Sequence, residues 1–395
     1  MKNDLLKEPF ESELINNILP FWMTVAPDHE NGGFYGGVTN THVIQNEIPR
    51  STVTCARILW TFSHAYLAYK KEEYRVIADS AFDYLTTAFW DKDYGGFYWS
   101  VDYHGKPVLD RKHHYAQAFG IYGLVEYYRA TKAKTSLDLA IKLFDLLEEH
   151  AFDPIHEGYV EGSSRDWSLL ADMRLGDNDM NCQKSMNTML HMMEAYTNFM
   201  RVWDSQKLKD QLSMIIETFS AYIISESGHF MLYFDNEWRS LSSHVSYGHD
   251  IEGSWLLYEA AEILGDPKLL DQAKPLAMKL ADGVYVLGID KRGGIIHEAA
   301  PERITNPKKE WWPQAEAVVG FYNAFQLTKQ EKFLDAAQTS WLYIQEHLID
   351  HERGGWYKRL LADGSVDHSS LKIGPWECPY HESRMCFEMI KRLPG

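Results

Sequence analysis

The sequence predicts an all-α protein, an (α/α)6 barrel of six helix hairpins in two concentric layers with short β-turn segments at one end. It spans residues 1–395 as a single domain. Three observations predict this. A Gly-rich turn recurs at a near-fixed spacing, helical pairs fill the intervals, and single helices stand at both ends of the chain. The turn is DHENGGFYGG from Asp28, DKDYGGFYWS from Asp91, DPIHEGYVEG from Asp153, DKRGGIIHEA from Asp290 and DHERGGWYKR from Asp350. SESGHFMLYF carries a degenerate copy near Ser227. Successive starts lie about 60 to about 74 residues apart by subtraction, a period that marks repeated units rather than unrelated domains. In each turn the glycines permit positive φ and end a helix, and the aromatic begins a short extended segment.

The elements follow in order. A first helix at about 5–20 has no partner next to it in sequence. Apolar residues then recur at helical spacing over 50–69 and 73–90, with similar pairs at about 113–131 and 135–151, 180–204 and 207–224, 248–264 and 267–286, and 313–327 and 331–348. A final helix at about 378–392 is again single. The two single helices can pair and close a ring. An open solenoid is the alternative, but no terminal unit has the polar face of a cap. The second helix and every alternate one after it carry His, Arg, Trp, Asn and Glu among small and apolar residues. The other helices have one charged face, as surface helices do. The alternate set is therefore the inner layer. Polar residues on buried helices are costly unless paired, so their clustering points to a site.

Composition narrows the partners. Lys plus Arg number 39 and Asp plus Glu 56, a formal charge of −17. That balance argues against nucleic acid and anionic membranes. No apolar run nears the ~20 residues that span a bilayer, and the charged start lacks the apolar stretch of a signal peptide. Four cysteines form no CxxC pair, which fits reduced thiols and a cytoplasmic protein. No unpaired amphipathic face stands out, so a monomer is expected. Aromatics make up 14% of the chain. Flat rings suit the apolar faces of sugars, although they also serve cores.

The inner helices offer candidates near their starts. They are Arg57, then Tyr115 and Gln117, then Asn187 and His191, four apart and so on one face. His249 and Glu252 in YGHDIEGSW are three apart. WWPQAE supplies Trp311, Trp312, Gln314 and Glu316, and GPWECPYHESR supplies Trp376, Glu377, His381 and Arg384. A pair of histidines suits the removal and return of a weakly acidic proton, because base and conjugate acid coexist near an unperturbed pKa of ~6.5. Glu252 is expected to orient His249 and raise its basicity. His113 and His114 lack a third ligand at metal spacing, and the glycine pairs match no phosphate-binding motif.

SMNTMLHMMEAY, YGHDIEGSWLL, WWPQAE and GPWECPYHESR, in this order and spacing, resemble the N-acylglucosamine 2-epimerase superfamily, and within it the cellobiose-converting branch. The resemblance covers essentially the whole chain. It implies an (α/α)6 barrel and inversion at C2 of the reducing-end sugar of a β-1,4-linked disaccharide, with no metal and no other cofactor. By motif it implies His249 and His381 as the acid/base pair. His191, Arg57, Asn187, Trp312 and Trp376 match substrate-holding residues of the family, and Tyr115 matches in its spacing from Arg57. Asp179 in DNDMN is placed in the same set, with Asp177 close by. Position 377 holds Glu where Lys is common in the family. The reaction would pass through an enediolate, with Arg57 and His191 stabilising its charge and Trp312 and Trp376 stacking on the sugars. Glu252 and Glu316 complete the substrate-facing set. An aldose–ketose isomerase would use the same histidines, so the spacing does not separate the two. An inverting glycosidase on the same barrel would need two carboxylates ~6.5–9.5 Å apart, and a non-catalytic sugar-binding barrel would need neither.

Overall fold

A computed structural model describes residues 5–177, 179–300 and 303–394. Helix α1 (Lys7–Glu13) runs through a π turn (Leu14–Ile18) into α2 (Leu19–Thr24). Five hairpins follow: α3 (Thr52–Tyr69) with α4 (Glu72–Tyr84), α5 (His114–Thr131) with α6 (Lys134–His150), and α7 (Met186–Met200) with α8 (Gln206–Thr218). Then come α9 (Tyr247–Leu264) with α10 (Pro267–Gly283), α11 (Trp311–Thr328) with α12 (Glu331–His347), and the last helix, α13 (Tyr380–Arg392).

Burial separates the two sets. In α5 every residue from His114 to Tyr127 is buried. In α6 only Ser136, Ala140, Leu143, Phe144 and Leu147 are buried, the single stripe of a helix with one wet face. The buried helices pack in a cycle: α3 on α5, α5 on α7, α7 on α9, α9 on α11, α11 on α13, and α13 back on α3. Each outer helix packs on its inner partner, and α1 packs on α13, so the two single helices form the sixth hairpin. The described residues share one hydrophobic core.

A second closure lies at one end. Two or three residues shortly before each inner helix pair, antiparallel, with a strand beyond the preceding or following turn, directly before five of the helices and six residues before α13. Arg50–Ser51 pairs with Ser100–Val101, Lys112–His113 with Gly162–Ser163, and Lys184–Ser185 with Tyr233–Phe234. Val245–Ser246 pairs with Glu298–Ala300, Lys309–Glu310 with Arg359–Leu360, and Leu371–Ile373 with Val38–Thr39. The last pairing joins the two ends of the chain. All six inner-helix N-termini therefore open at this end, with their partial positive charge directed at it.

The recurring turn explains the register. Asp91 Oδ1 accepts from the N–H of Asp93, and Gly95 and Gly96 follow at φ 74° and 70°, a region glycine enters without steric penalty. The other oxygen, Oδ2, accepts from Lys112, the residue just before the N-cap of α5. The same pairing joins Asp28 to Arg50, Asp153 to Lys184 and Asp350 to Lys372, all buried, and the partly exposed Asp290 to Lys309. Each pair pins an inner helix to the turn of the preceding hairpin. The degenerate fourth copy loses both members together. Ser225 replaces the acid and Val245 the cation, since either charge alone would be buried without a partner. Asp250 in α9 still ties the helix to this turn, accepting from His229 Nδ1 and the N–H of Phe230, as Gln117 and Gln314 accept from Phe97 and Ile295 in their own repeats.

The five turn aspartates, Asp28, Asp91, Asp153, Asp290 and Asp350, are held below the ordinary aspartate value of 3.8. Burial alone would raise Asp153, but the Lys184 hydrogen bond and the turn N–H groups outweigh it. Their stabilising contribution is therefore complete above the unfolded-state pKa and is lost as pH falls through the lower folded value. Asp153→Ala strands Lys184 and is expected to destabilise by about 3–5 kcal/mol, read as a lower urea midpoint with an unchanged slope.

Four boundaries differ from the sequence expectation. Helix α7 begins at Met186, not near 180, because the Ser185 side chain caps it and Lys184 is fixed by Asp153. Helices α4, α8 and α10 stop early and run on as π turns, Leu85–Phe89, Phe219–Ile223 and Val284–Gly288. No helix among the described residues is long and apolar enough to cross a membrane.

Candidate active site

A cavity of about 280 Å³ opens at the N-terminal ends of the inner helices. Twelve sequence-chosen residues line it: Arg57, Tyr115, Asp179, Asn187, His191, His249, Glu252, Trp311, Trp312, Trp376, Glu377 and His381. Glu316 does not. It lies behind His381, accepting from His381 Nδ1 at 2.7 Å and from Trp255 Nε1 at 3.0 Å. Both candidate histidines pack on one ring, with His249 at 4.7 Å and His381 at 5.5 Å from Trp312 by ring centroid.

The three imidazoles are held differently. Because a carboxylate only accepts, Glu316 fixes the proton of His381 on Nδ1 and leaves Nε2 as a lone pair. Glu194 Oε2 does the same for His191 at 2.9 Å. His249 Nδ1 lies 2.8 Å from the Ser246 hydroxyl, which can donate or accept, so either tautomer is satisfied. The expectation that Glu252 orients His249 is corrected. Glu252 Oε1 accepts from Arg384 at 2.5 Å, a buried cation being a stronger partner for a carboxylate than a neutral imidazole. Burial lowers all three histidines, His249 to about 3 and His191 to about 4, with the Arg57 charge acting in the same direction. The site therefore holds neutral imidazoles.

Arg57 donates to the Tyr115 hydroxyl at 2.9 Å and lies 4.1 Å above the Phe119 ring and 4.8 Å above the Tyr380 ring. It has no carboxylate partner among the described residues, so its charge is available to a ligand. Asn187 Oδ1 and Trp311 Nε1 belong to residues of the cavity wall, are buried and have no partner among the described residues. Trp376 stands 5.9 Å from Tyr115 and 5.8 Å from Trp99, edge to face in both cases. Asp179, rather than Asp177, lines the cavity. It is anchored by the Tyr233 hydroxyl and the N–H of Gly176.

Sequence reasoning missed His297, Glu298, Glu310 and Arg359 in the wall. Glu310 and Arg359 face each other across the strand pair before α11 and are ion-paired. The signal was available in the repeat, because every segment after a turn reaches this same end. Glu194 was also missed. It accepts from Arg384 and the Tyr380 hydroxyl as well as from His191. Glu252, Glu316 and His381 bring three ligand-type atoms within 4.8 Å, but the Arg384 guanidinium already donates to both carboxylates. The cation this donor set suits is the guanidinium itself.

A helical ring whose inner N-termini surround histidines, an unpaired arginine and tryptophans defines a carbohydrate-handling site. The chain belongs to the N-acylglucosamine 2-epimerase (GlcNAc 2-epimerase) family, whose pattern matches residues 33–382. It is 42% identical to the cellobiose 2-epimerase of Bacteroides fragilis over 98% of this chain and 99% of that one. It is 37% identical to the cellobiose 2-epimerase of Dictyoglomus turgidum over 98% and 99%. The solved structure of the cellobiose 2-epimerase from Bacillus thermoamylovorans superposes with a TM-score of 0.93 at 39% identity, covering 98% of this chain and 99% of that one.

Proposed function

We propose that the protein acts as a cellobiose 2-epimerase, reversibly inverting C2 of the reducing-end glucose of β-1,4-linked disaccharides, cellobiose to glucosyl-mannose and lactose to epilactose. The observation that carries this reading is the convergence of His249 and His381 on Trp312 in one cavity, beside a guanidinium with no carboxylate partner. The closed cycle of inner helices supports an (α/α)6 barrel, and the single core supports one domain. Four buried free cysteines support a reducing, cytoplasmic setting. The partner is the sugar, and the protein works as a monomer.

The chemistry follows from the side chains. The pyranose opens, exposing a carbonyl at C1 that acidifies the C2 hydrogen. One imidazole takes that proton, and the other returns a proton to the opposite face. His381, with Nδ1–H committed to Glu316, presents a lone pair to the cavity. His249, beside a hydroxyl of either polarity, can hold or release a proton. The enediolate carries charge on O1 and O2, where Arg57 supplies a fixed cation in a site shielded from water. Trp312 and Trp376 offer flat faces to the sugars, and Asn187 offers an acceptor to a hydroxyl. The wall tryptophans and the acid at 377 shape the second sugar's place.

Incubation with cellobiose in the presence of EDTA is the test. Glucosyl-mannose at unchanged chain length is expected. A ketose product would instead mean reprotonation at C1, and free glucose would mean hydrolysis. Hydrolysis fits the site poorly, because Glu252 and Glu316 are bound to one guanidinium and neither is placed to activate a separate water.

A further inference from the structure

Beneath the cavity, Glu194 on α7, Glu252 on α9 and Glu316 on α11 all meet Arg384 on α13. All four side chains are buried. Their hydrogen bonds are unequal. Glu194 accepts on both oxygens, from Arg384 and Tyr380 on one and from His191 on the other. Glu316 also accepts on both, from His381 and Arg384 on one and from Trp255 on the other. Acceptors filled in this way are carboxylates. Glu252 accepts on Oε1 alone. Its Oε2 is buried, has no partner among the described residues and belongs to a residue of the cavity wall.

The charges do not balance if all three acids are ionised. Three carboxylates face two guanidinia, Arg384 and Arg57 from α3. The remaining neighbours are neutral: His191, His249 and His381, held so by burial, and the hydroxyls of Tyr115 and Tyr380. One negative charge is left over among buried side chains. A buried, uncompensated charge is costly enough that the group takes up a proton instead. Glu194 and Glu316 each accept three hydrogen bonds, which favours their ionised forms, whereas Glu252 Oε2 accepts none and is the oxygen best placed to keep a proton.

The geometry points to Glu252 as an uncharged carboxylic acid whose Oε2–H faces the cavity and donates a hydrogen bond to a sugar oxygen. The donor role rests on the epimerase reading; the protonation does not. Burial and the neighbouring Glu316 carboxylate push the Glu252 pKa up to about 8, so the proton is present at neutral pH and is lost as pH rises through that value. The acid is then the third hydrogen-bonding group on the sugar's charge-bearing side, beside Arg57 and the histidines.

The test is a carboxyl infrared difference spectrum, wild type minus Glu252→Gln, at pH 6.5 and pH 9.5. An uncharged-carboxyl band in the difference at the lower pH, gone at the higher, is expected. If Gln prevents folding, Glu252→Ala serves the same subtraction. No such band, or only an ionised-carboxylate band, overturns the proposal, whether or not the enzyme turns over cellobiose. In kinetics, Gln keeps a donor at this position, so kcat/KM should fall about tenfold for Gln and about a hundredfold for Ala. The decline of the wild type above about pH 8 should be missing in the Gln variant. A Gln variant that keeps the wild-type alkaline decline contradicts the assignment.

Discussion

His381→Asn loses epimerisation by roughly 10²–10⁴-fold in kcat, the range for removing a positioned general acid or base. His249→Asn loses as much. Asn keeps a polar group of similar reach at either position but cannot take a proton from carbon. In His381→Asn, the Asn amide can still donate toward Glu316, so the carboxylate layer is not left bare. The loss should fall on kcat rather than KM, because Trp312 and Trp376 still hold the sugar. Thermal unfolding of both variants should stay near the wild type. The pH profile follows from the same burial. Because the imidazoles are held neutral, His249 to about 3 and His191 to about 4, kcat/KM should remain level as pH falls past the ordinary histidine value of 6.5. An acid limb centred at 6.5 would mean that the working histidine is solvated.

Arg57→Met has the second large effect. It removes the one guanidinium at the cavity without a carboxylate partner among the described residues. Loss of a charged donor aimed at a developing oxyanion is worth about 10²–10³-fold. Met retains contact with the Phe119 and Tyr380 rings, so packing is largely kept. Arg57→Lys should recover only part, because an ammonium lacks the planar fork that meets Tyr115 and the sugar together. Two counter-effects accompany the change. Without the cation the neighbouring histidines become easier to protonate, so the acid edge of the profile moves up. The net charge beneath the cavity also becomes more negative, which strengthens the hold of Glu252 on its proton.

Much of this was legible before any coordinates. The Asp–Gly–Gly turn fixed the repeat length, and the alternation of charged and apolar helices separated the layers, because both depend on local physics. Helix α7 was read too early because Asp179–Gln183 has no strong breaker; its start is set by a cap and by a lysine reaching back to Asp153. The three π turns follow ordinary helical sequence and leave no local sign. Within the site, residues on inner-helix starts were found because each helix presents one face inward. Glu194 was not singled out, since its importance comes from Tyr380 and Arg384, which reach it from α13. Glu252 was assigned to the wrong partner for a related reason. Spacing along α9 brings it near His249, but Arg384 comes from α13, and no pattern within one helix reveals that approach. The fourth repeat is the most instructive case. Its missing aspartate looked like decay, yet Val245 shows the buried pair removed as a unit.

The conversion of cellobiose in deuterium oxide, followed by NMR at C2 of the reducing sugar, is the most direct measurement. Exchange between two imidazoles across the sugar predicts glucosyl-mannose carrying deuterium at C2, with the label entering at the rate of epimer formation. An epimer that keeps its original hydrogen at C2 would contradict it.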